Sequence, residues 1–257
     1  MGMVIQHESM IGRGRSNLLW RGIDRQRIDY DPSYGYGVFN DFTKLPLITS
    51  TGTGATITQK TAGTITYPVT TRFGIMLATS SGTDAQGIQY QESSIFNPVA
   101  DGSIYYETRL SVSGNSTPGD IFIGLHNADT TILNGTIVSG SEFAGFRGIG
   151  SNTITPCHAA ASSITAVTAT GATTTFPDYG AGLTEADTFV KLGFHICGTR
   201  RIEYFINGLY VGGSTATIPT ATSTATTIPT AIPTTTTSPI PSTYQDHSRA
   251  AWKKESC

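Results

Sequence analysis

Charge is scarce in this chain. Asp, Glu, Lys and Arg make up 13% of its 257 residues, and the formal net charge is −2. Such a balance offers no global field for nucleic acid or for an anionic membrane surface, so neither is an expected partner. No apolar run approaches the length of a membrane span, and no long window repeats apolar residues at helical spacing. The opening MGMVIQHESM lacks a long apolar core followed by a small-residue cleavage site, so no secretion signal is read there. Cys157, Cys197 and Cys257 are an odd number and outline no disulfide framework. Synthesis and folding in a reducing cytoplasm are therefore expected.

What the chain does have is punctuation. Its 29 glycines, together with Thr and Ser, break the sequence into short segments, and the clearest lie between residues 188 and 213. Val190, Leu192, Phe194 and Ile196 alternate with Lys191, Gly193, His195 and Cys197, the period of a half-buried strand. A polar turn at 198–201 leads into a second strand, 202–206. Asn207-Gly208 then separates it from a third, 209–211. Asn-Gly between apolar runs is a strong hairpin signal, because a type I′ turn needs φ > 0 at both central residues. Three consecutive antiparallel strands are predicted here. Upstream, strands are predicted at 55–58, 63–67, 72–78, 87–91, 104–112, 121–125, 143–149 and 161–168, with 176–186 as a loop. Short strands at this spacing, about ten to twelve of them, predict an all-β, two-sheet antiparallel sandwich.

Catalytic signatures are missing as well. A sandwich glycosidase needs two carboxylates facing each other across a groove, and no such cluster is written on any strand. Glu107 and Glu203 stand singly beside Arg109 and Arg201, which reads as structural pairing. No Gly-x-Ser-x-Gly elbow marks a serine nucleophile. Cys157-His158 and His195-x-Cys197 hold zinc-ligand chemistry, but Cys157 and His158 point to opposite faces of any strand. Asp120, Asn127 and Asp129 form no dense carboxylate loop of the kind that holds calcium. The chain is expected to be no enzyme and to carry neither metal nor cofactor.

Two extensions flank the predicted sandwich, which spans residues 40–213. Residues 1–39 are interrupted by glycines and carry Arg13, Arg15, Arg21, Arg25 and Arg27 among isolated large side chains. Such a segment buries too little surface to order itself alone. It either folds back on its own domain or docks on another subunit, with Trp20, Arg21, Arg25, Arg27, Tyr30, Tyr34 and Tyr36 as the expected subunit-binding anchors. Acids interspersed with the arginines weaken a nucleic-acid reading. Residues 214–257 form a Thr/Ser/Pro-rich tail: from 214 to 243 only Thr, Ser, Pro, Ala and Ile occur. Its prolines argue against a central strand and for an extended ribbon, either free or laid along a neighbouring surface.

The succession IYYETRLSV (104–112), DIFIGL (120–125), FVKLGF (189–194) and RIEYFINGLYVG (201–212) resembles the concanavalin A-like (laminin G-like) jelly roll. More narrowly, it resembles the versions found in virion proteins of tailed bacteriophages. That resemblance implies a non-enzymatic capsid cement or decoration protein on the virion surface. Its implied partners are the major capsid protein and other copies of itself, most simply as a homotrimer. The alternative is a carbohydrate-binding, receptor-recognising module, which would need exposed aromatics; Tyr90, Tyr105, Tyr179 and Tyr210 are the candidates. A polysaccharide-cleaving enzyme is a third class, opposed by the missing carboxylate pair.

Overall fold

The computed structural model describes residues 19, 35–40, 56–60, 63–66, 76–80, 86–91, 94–96, 98–110, 120–126, 142–148, 154–160, 163–166, 190–216, 218–219, 223–232, 240–244 and 248–254. Their regular structure is all strand. In chain order these are β1 (Gly35–Asn40), β2 (Thr56–Lys60), β3 (Gly63–Thr66), β4 (Met76–Ser80), β5 (Gln86–Gln91) and β6 (Ser94–Phe96). Next come β7 (Gly102–Leu110), β8 (Asp120–His126), β9 (Phe143–Gly148), β10 (Thr155–Ala160) and β11 (Ser163–Ala166). The last are β12 (Val190–Cys197), β13 (Arg201–Ile206), β14 (Leu209–Ser214), β15 (Ser223–Ile232), β16 (Ile240–Tyr244) and β17 (Ser248–Lys254).

They form two large antiparallel sheets and one small one. The first runs β1-β17-β7-β12-β13-β14, and the second β11-β10-β9-β8-β15-β5-β2 with β6 paired to β15. The third is β16-β4-β3. The alternation read in the sequence sets the faces of the first sheet. Register pairs Phe194 with Tyr106 and Tyr204, and Ile196 with Ile104 and Ile202, all inward and buried. Phe146 of β9 meets Tyr204 edge-on at 5.4 Å between centroids, so these rings join the two large sheets.

The meander 188–213 folds as β12-β13-β14, and its turn has the required backbone: φ is 50° at Asn207 and 84° at Gly208. Asn207 also ties the turn back to β12. Its amide donates to the Lys191 carbonyl at 2.8 Å, and its side-chain oxygen accepts from the Lys191 amide at 3.0 Å. Close to the turn the β13-β14 register shifts between Tyr204 and Phe205, a bulge that seats Val211 inward.

The expected boundaries at 39 and 213 need correction. The segment expected as a tail supplies β15, β16 and β17, and β17 lies between β1 and β7 inside the first sheet. β15 sits between β8 and β5 although it contains Pro229. The reason is local. Pro229 has Gln89 of β5 as its register partner, while pairing to β8 steps from Thr227 to Thr230 and passes the proline by. The surrounding Thr and Ile residues suit a pleated sheet. Pro241 lies in β16, an edge strand, where a missing N–H is tolerated.

The N-terminal segment is likewise attached to the domain at two points. β1 pairs with β17, and Leu19 is only 2% exposed, its Cδ2 seated where Gly193 has no side chain. Trp20, Arg21, Arg25, Arg27, Tyr30 and Tyr34 lie outside the described residues. Tyr36 is placed by its backbone alone, opposite Trp252. The predicted loop at 176–186 also lies outside them.

Replacing Asn207 with valine forces a β-branched residue to φ > 0 and removes the clamp on Lys191. A loss of about 1–3 kcal/mol is expected in urea or thermal melts, and an unchanged midpoint would refute the turn's role. Leu19→Ala is expected to cost about 2–5 kcal/mol, as for other buried leucines. A neutral result would mean that Leu19 does not pack on β12 in solution.

Candidate functional site

The polar positions of the first sheet line up across its strands on the outer face. His195 of β12 has Tyr105 of β7 on one side and Glu203 of β13 on the other. The Tyr105 and His195 rings stack at 4.2 Å, with planes 7° apart. His195 Nδ1 lies 3.3 Å from Glu203 Oε2, and Nε2 lies 3.2 Å from Ser103 Oγ. Arg201 Nε approaches the other Glu203 oxygen at 3.7 Å. Burial holds the His195 pKa below its ordinary value, and the Glu203 contact opposes this only in part. The imidazole is therefore neutral near pH 7, and its contact with Glu203 is a hydrogen bond rather than an ion pair. Nδ1–H donates to the carboxylate, and Nε2 accepts from the Ser103 hydroxyl.

Ser103, His195 and Glu203 thus share the connectivity of a nucleophile relay, assembled from three neighbouring strands. Its surroundings oppose that chemistry. Ser103 is 2% exposed and sits within a regular strand, where its hydroxyl has no open approach for a substrate. Sequence reasoning missed the relay because its members are joined by register, 92 and 8 residues apart, and no local motif marks them. The pairing of Glu203 with Arg201 expected from the sequence is present. Glu107 is buried at 4% exposure. It stands one strand away from β12 on the opposite side from Glu203 and two residues out of line with it. At ordinary strand spacing that separates the two Cα atoms by about 12 Å.

The row opens at its far end. Tyr210 of β14, opposite Phe205, is 52% exposed, whereas Phe205 and Tyr105 on the same face are buried. Its ring rests edge-on against Phe205, with centroids 5.8 Å apart. Of the four tyrosines named from the sequence, Tyr90 and Tyr105 are buried, Tyr179 lies outside the described residues, and Tyr210 alone of the described three is exposed.

The two Cys/His pairs occupy different layers. Cys157 packs with Phe122, Phe143 and Ala159, and burial pushes its thiol up to about 12. His158 points the other way, between the sheets, as strand geometry requires. Its Nε2 donates to the Ala216 carbonyl at 2.8 Å, and its Nδ1 lies 3.2 Å from the Tyr204 hydroxyl. Tyr204 in turn donates to the Cys157 carbonyl at 2.8 Å. Burial lowers the His158 pKa and raises that of Tyr204, so both stay neutral. Cys197, on the first sheet, is disulfide-bonded, which the odd cysteine count did not foretell. No group of three or more His, Cys, Asp or Glu among the described residues is arranged to hold a metal. Asn127 and Asp129 lie outside them.

No protein-family model matches the chain, and no curated protein matches it. Solved structures do. A protein of unknown function from Shewanella oneidensis MR-1 is 12% identical, with a TM-score of 0.55 over 87% of this chain and 88% of that one. A β-1,3-1,4-glucanase (lichenase) from a mouse hindgut metagenome is 11% identical, with a TM-score of 0.52 over 86% and 99%. The Bacillus licheniformis β-glucanase is 10% identical, with a TM-score of 0.51 over 85% and 98%. At these identities the likeness concerns the fold alone, a concanavalin A-like jelly-roll sandwich.

His158 and His195 have folded-state pKa values below the unfolded one, so the unfolded chain takes up protons first as the pH falls. Their contribution to stability is full above about pH 6.5 and is lost as the pH drops through that value toward the folded-state pKa. Melting temperature is expected to fall between pH 7.5 and 5.5, a window in which ordinary carboxylates barely titrate. A flat profile would contradict the neutral assignment. Tyr204→Phe, which strips the hydroxyl shared by Cys157 and His158, is expected to cost about 1–3 kcal/mol in urea melts; a neutral result would remove the bridge from the account.

Proposed function

We propose that this chain is a non-enzymatic virion structural protein, a capsid cement or decoration protein that binds the head shell. The observation carrying the non-enzymatic part is the state of the carboxylates. Glu107 is buried, Glu203 is held by His195 and Arg201, and the two do not face each other across a groove. The virion part is supported by the motif succession of the sequence, whose described residues 104–110, 190–194 and 201–212 fall on adjacent strands β7, β12, β13 and β14. The proposed partners are the major capsid protein and further copies of the chain, as a symmetric trimer. Neither cofactor, nucleic acid nor membrane enters this reading. Trp20, Arg21, Arg25, Arg27, Tyr30, Tyr34 and Tyr36 are the proposed capsid-binding anchors.

A second reading, a carbohydrate-binding module of a virion or surface protein, is favoured by one observation: the exposed ring of Tyr210.

Co-sedimentation with assembled capsid shells tests the first reading. Trp20→Ala is expected to weaken shell binding strongly while leaving the melting temperature nearly unchanged, a few desolvated anchors carrying most of such an affinity. A lowered melting temperature would place Trp20 in the protein's own core. Wild-type protein that never pellets with shells would sink the capsid reading.

A further inference from the structure

On the outer face of the first sheet, burial falls away from β7 to β14, and at the open end the side chains are held in place. Tyr210 leans along its own strand, braced by Phe205, with its hydroxyl over Gly213. A Cβ at Gly213 would stand 3.2 Å from that oxygen and 2.7 Å from the Ile202 carbonyl, so any larger residue there would lift the ring. Gly213 is the register partner of Glu203, whose Cα lies 3.6 Å from the same point. The Glu203 side chain is 28% exposed and fixed by His195, and the Arg201 side chain beside it is 52% exposed. An exposed aromatic ring therefore adjoins a carboxylate held by His195, with the Arg201 guanidinium beside that carboxylate.

We infer that Tyr210, Glu203 and Arg201 form a saccharide subsite that takes one neutral hexopyranose unit of a polysaccharide. This inference rests on the carbohydrate-binding reading above. A pyranose has one face of C–H groups and a rim of hydroxyls. Its C–H face covers the Tyr210 ring and removes apolar surface from water on both sides. Adjacent ring hydroxyls, each both donor and acceptor, meet the Glu203 carboxylate and the Arg201 guanidinium. Those two charges cancel and His195 is neutral, so the site favours an uncharged sugar over a sialic or uronic acid. The bracing by Phe205 and Gly213 reduces the ordering cost that an exposed side chain brings to a binding event.

The test is isothermal titration of the full chain with hexamers of β-1,3-linked and β-1,4-linked glucose, together with an array of neutral hexose, sialylated and uronic oligosaccharides. Wild type is expected to bind at least one of the neutral ones. Tyr210→Ala should weaken that binding about tenfold or more, Tyr210→Trp should retain it, and Gly213→Val should weaken it without touching the sugar. Arg201→Gln, at an exposed position, gives a loss that misfolding does not explain, and melting curves control for the rest. If wild type binds no neutral saccharide, this subsite is overturned, and the carbohydrate reading fails with it when sialylated and uronic oligosaccharides on the same array are not bound either. If wild type binds but Tyr210→Ala binds equally well, the reading stands and the subsite is overturned. If Tyr210→Ala instead loses co-sedimentation with capsid shells and no sugar binds, the ring docks on protein and the inference is likewise overturned.

Discussion

Phe194 sits between Tyr106 and Tyr204, and much of the molecule depends on that cross-strand contact. The Phe194 and Tyr106 rings stack at 4.8 Å, and Phe194 lies tilted against Tyr204 at 6.1 Å. Tyr204 then reaches the second sheet through Phe146 and through its hydrogen bond to Cys157. Because side chains alternate across a strand, the register that sets these rings inward also sets Tyr105, His195 and Glu203 outward as neighbours. The core and the outer polar row are therefore two faces of one pairing decision. A slip of β12 by one residue would turn the His195 imidazole inward among these rings and expose Phe194.

The two ends of the chain reinforce that pairing. β17 lies along β7 and β1 along β17, so segments far apart in sequence complete the first sheet on the side away from β14. Among the described strands β14 is the edge opposite β1, and it carries the exposed Tyr210. Burial along the outer row follows from this layout. Strands with a neighbour on both sides hold Ser103, Tyr105 and His195 in place, while the edge strand presents its aromatic to solvent.

Where apolar and polar residues alternate, the fold was legible in the sequence. Val190 to Cys197 gave a strand with the right faces, and Asn207-Gly208 gave the right turn, because both signals are local. β10 was missed: TPCHAA has no β-branched core and begins beside a proline, and its strand character comes from pairing with β9 and β11. β15 was rejected on Pro229, since a sequence does not reveal on which side a ladder leaves a gap. The outer row was invisible for a related reason. Ser103, His195 and Glu203 read as unrelated residues until register brings them together, and the same register decides that Tyr105 is covered and Tyr210 is not.

The shared register can be measured directly by NMR in solution, through contacts between ring protons of residues on facing strands. The account predicts cross-peaks from Phe194 to both Tyr106 and Tyr204 and, in the same sample, from His195 to Tyr105, with none from His195 to Tyr106 or Tyr204. Cross-peaks from His195 to Tyr106 or Tyr204 would place β12 one residue out of register and contradict it.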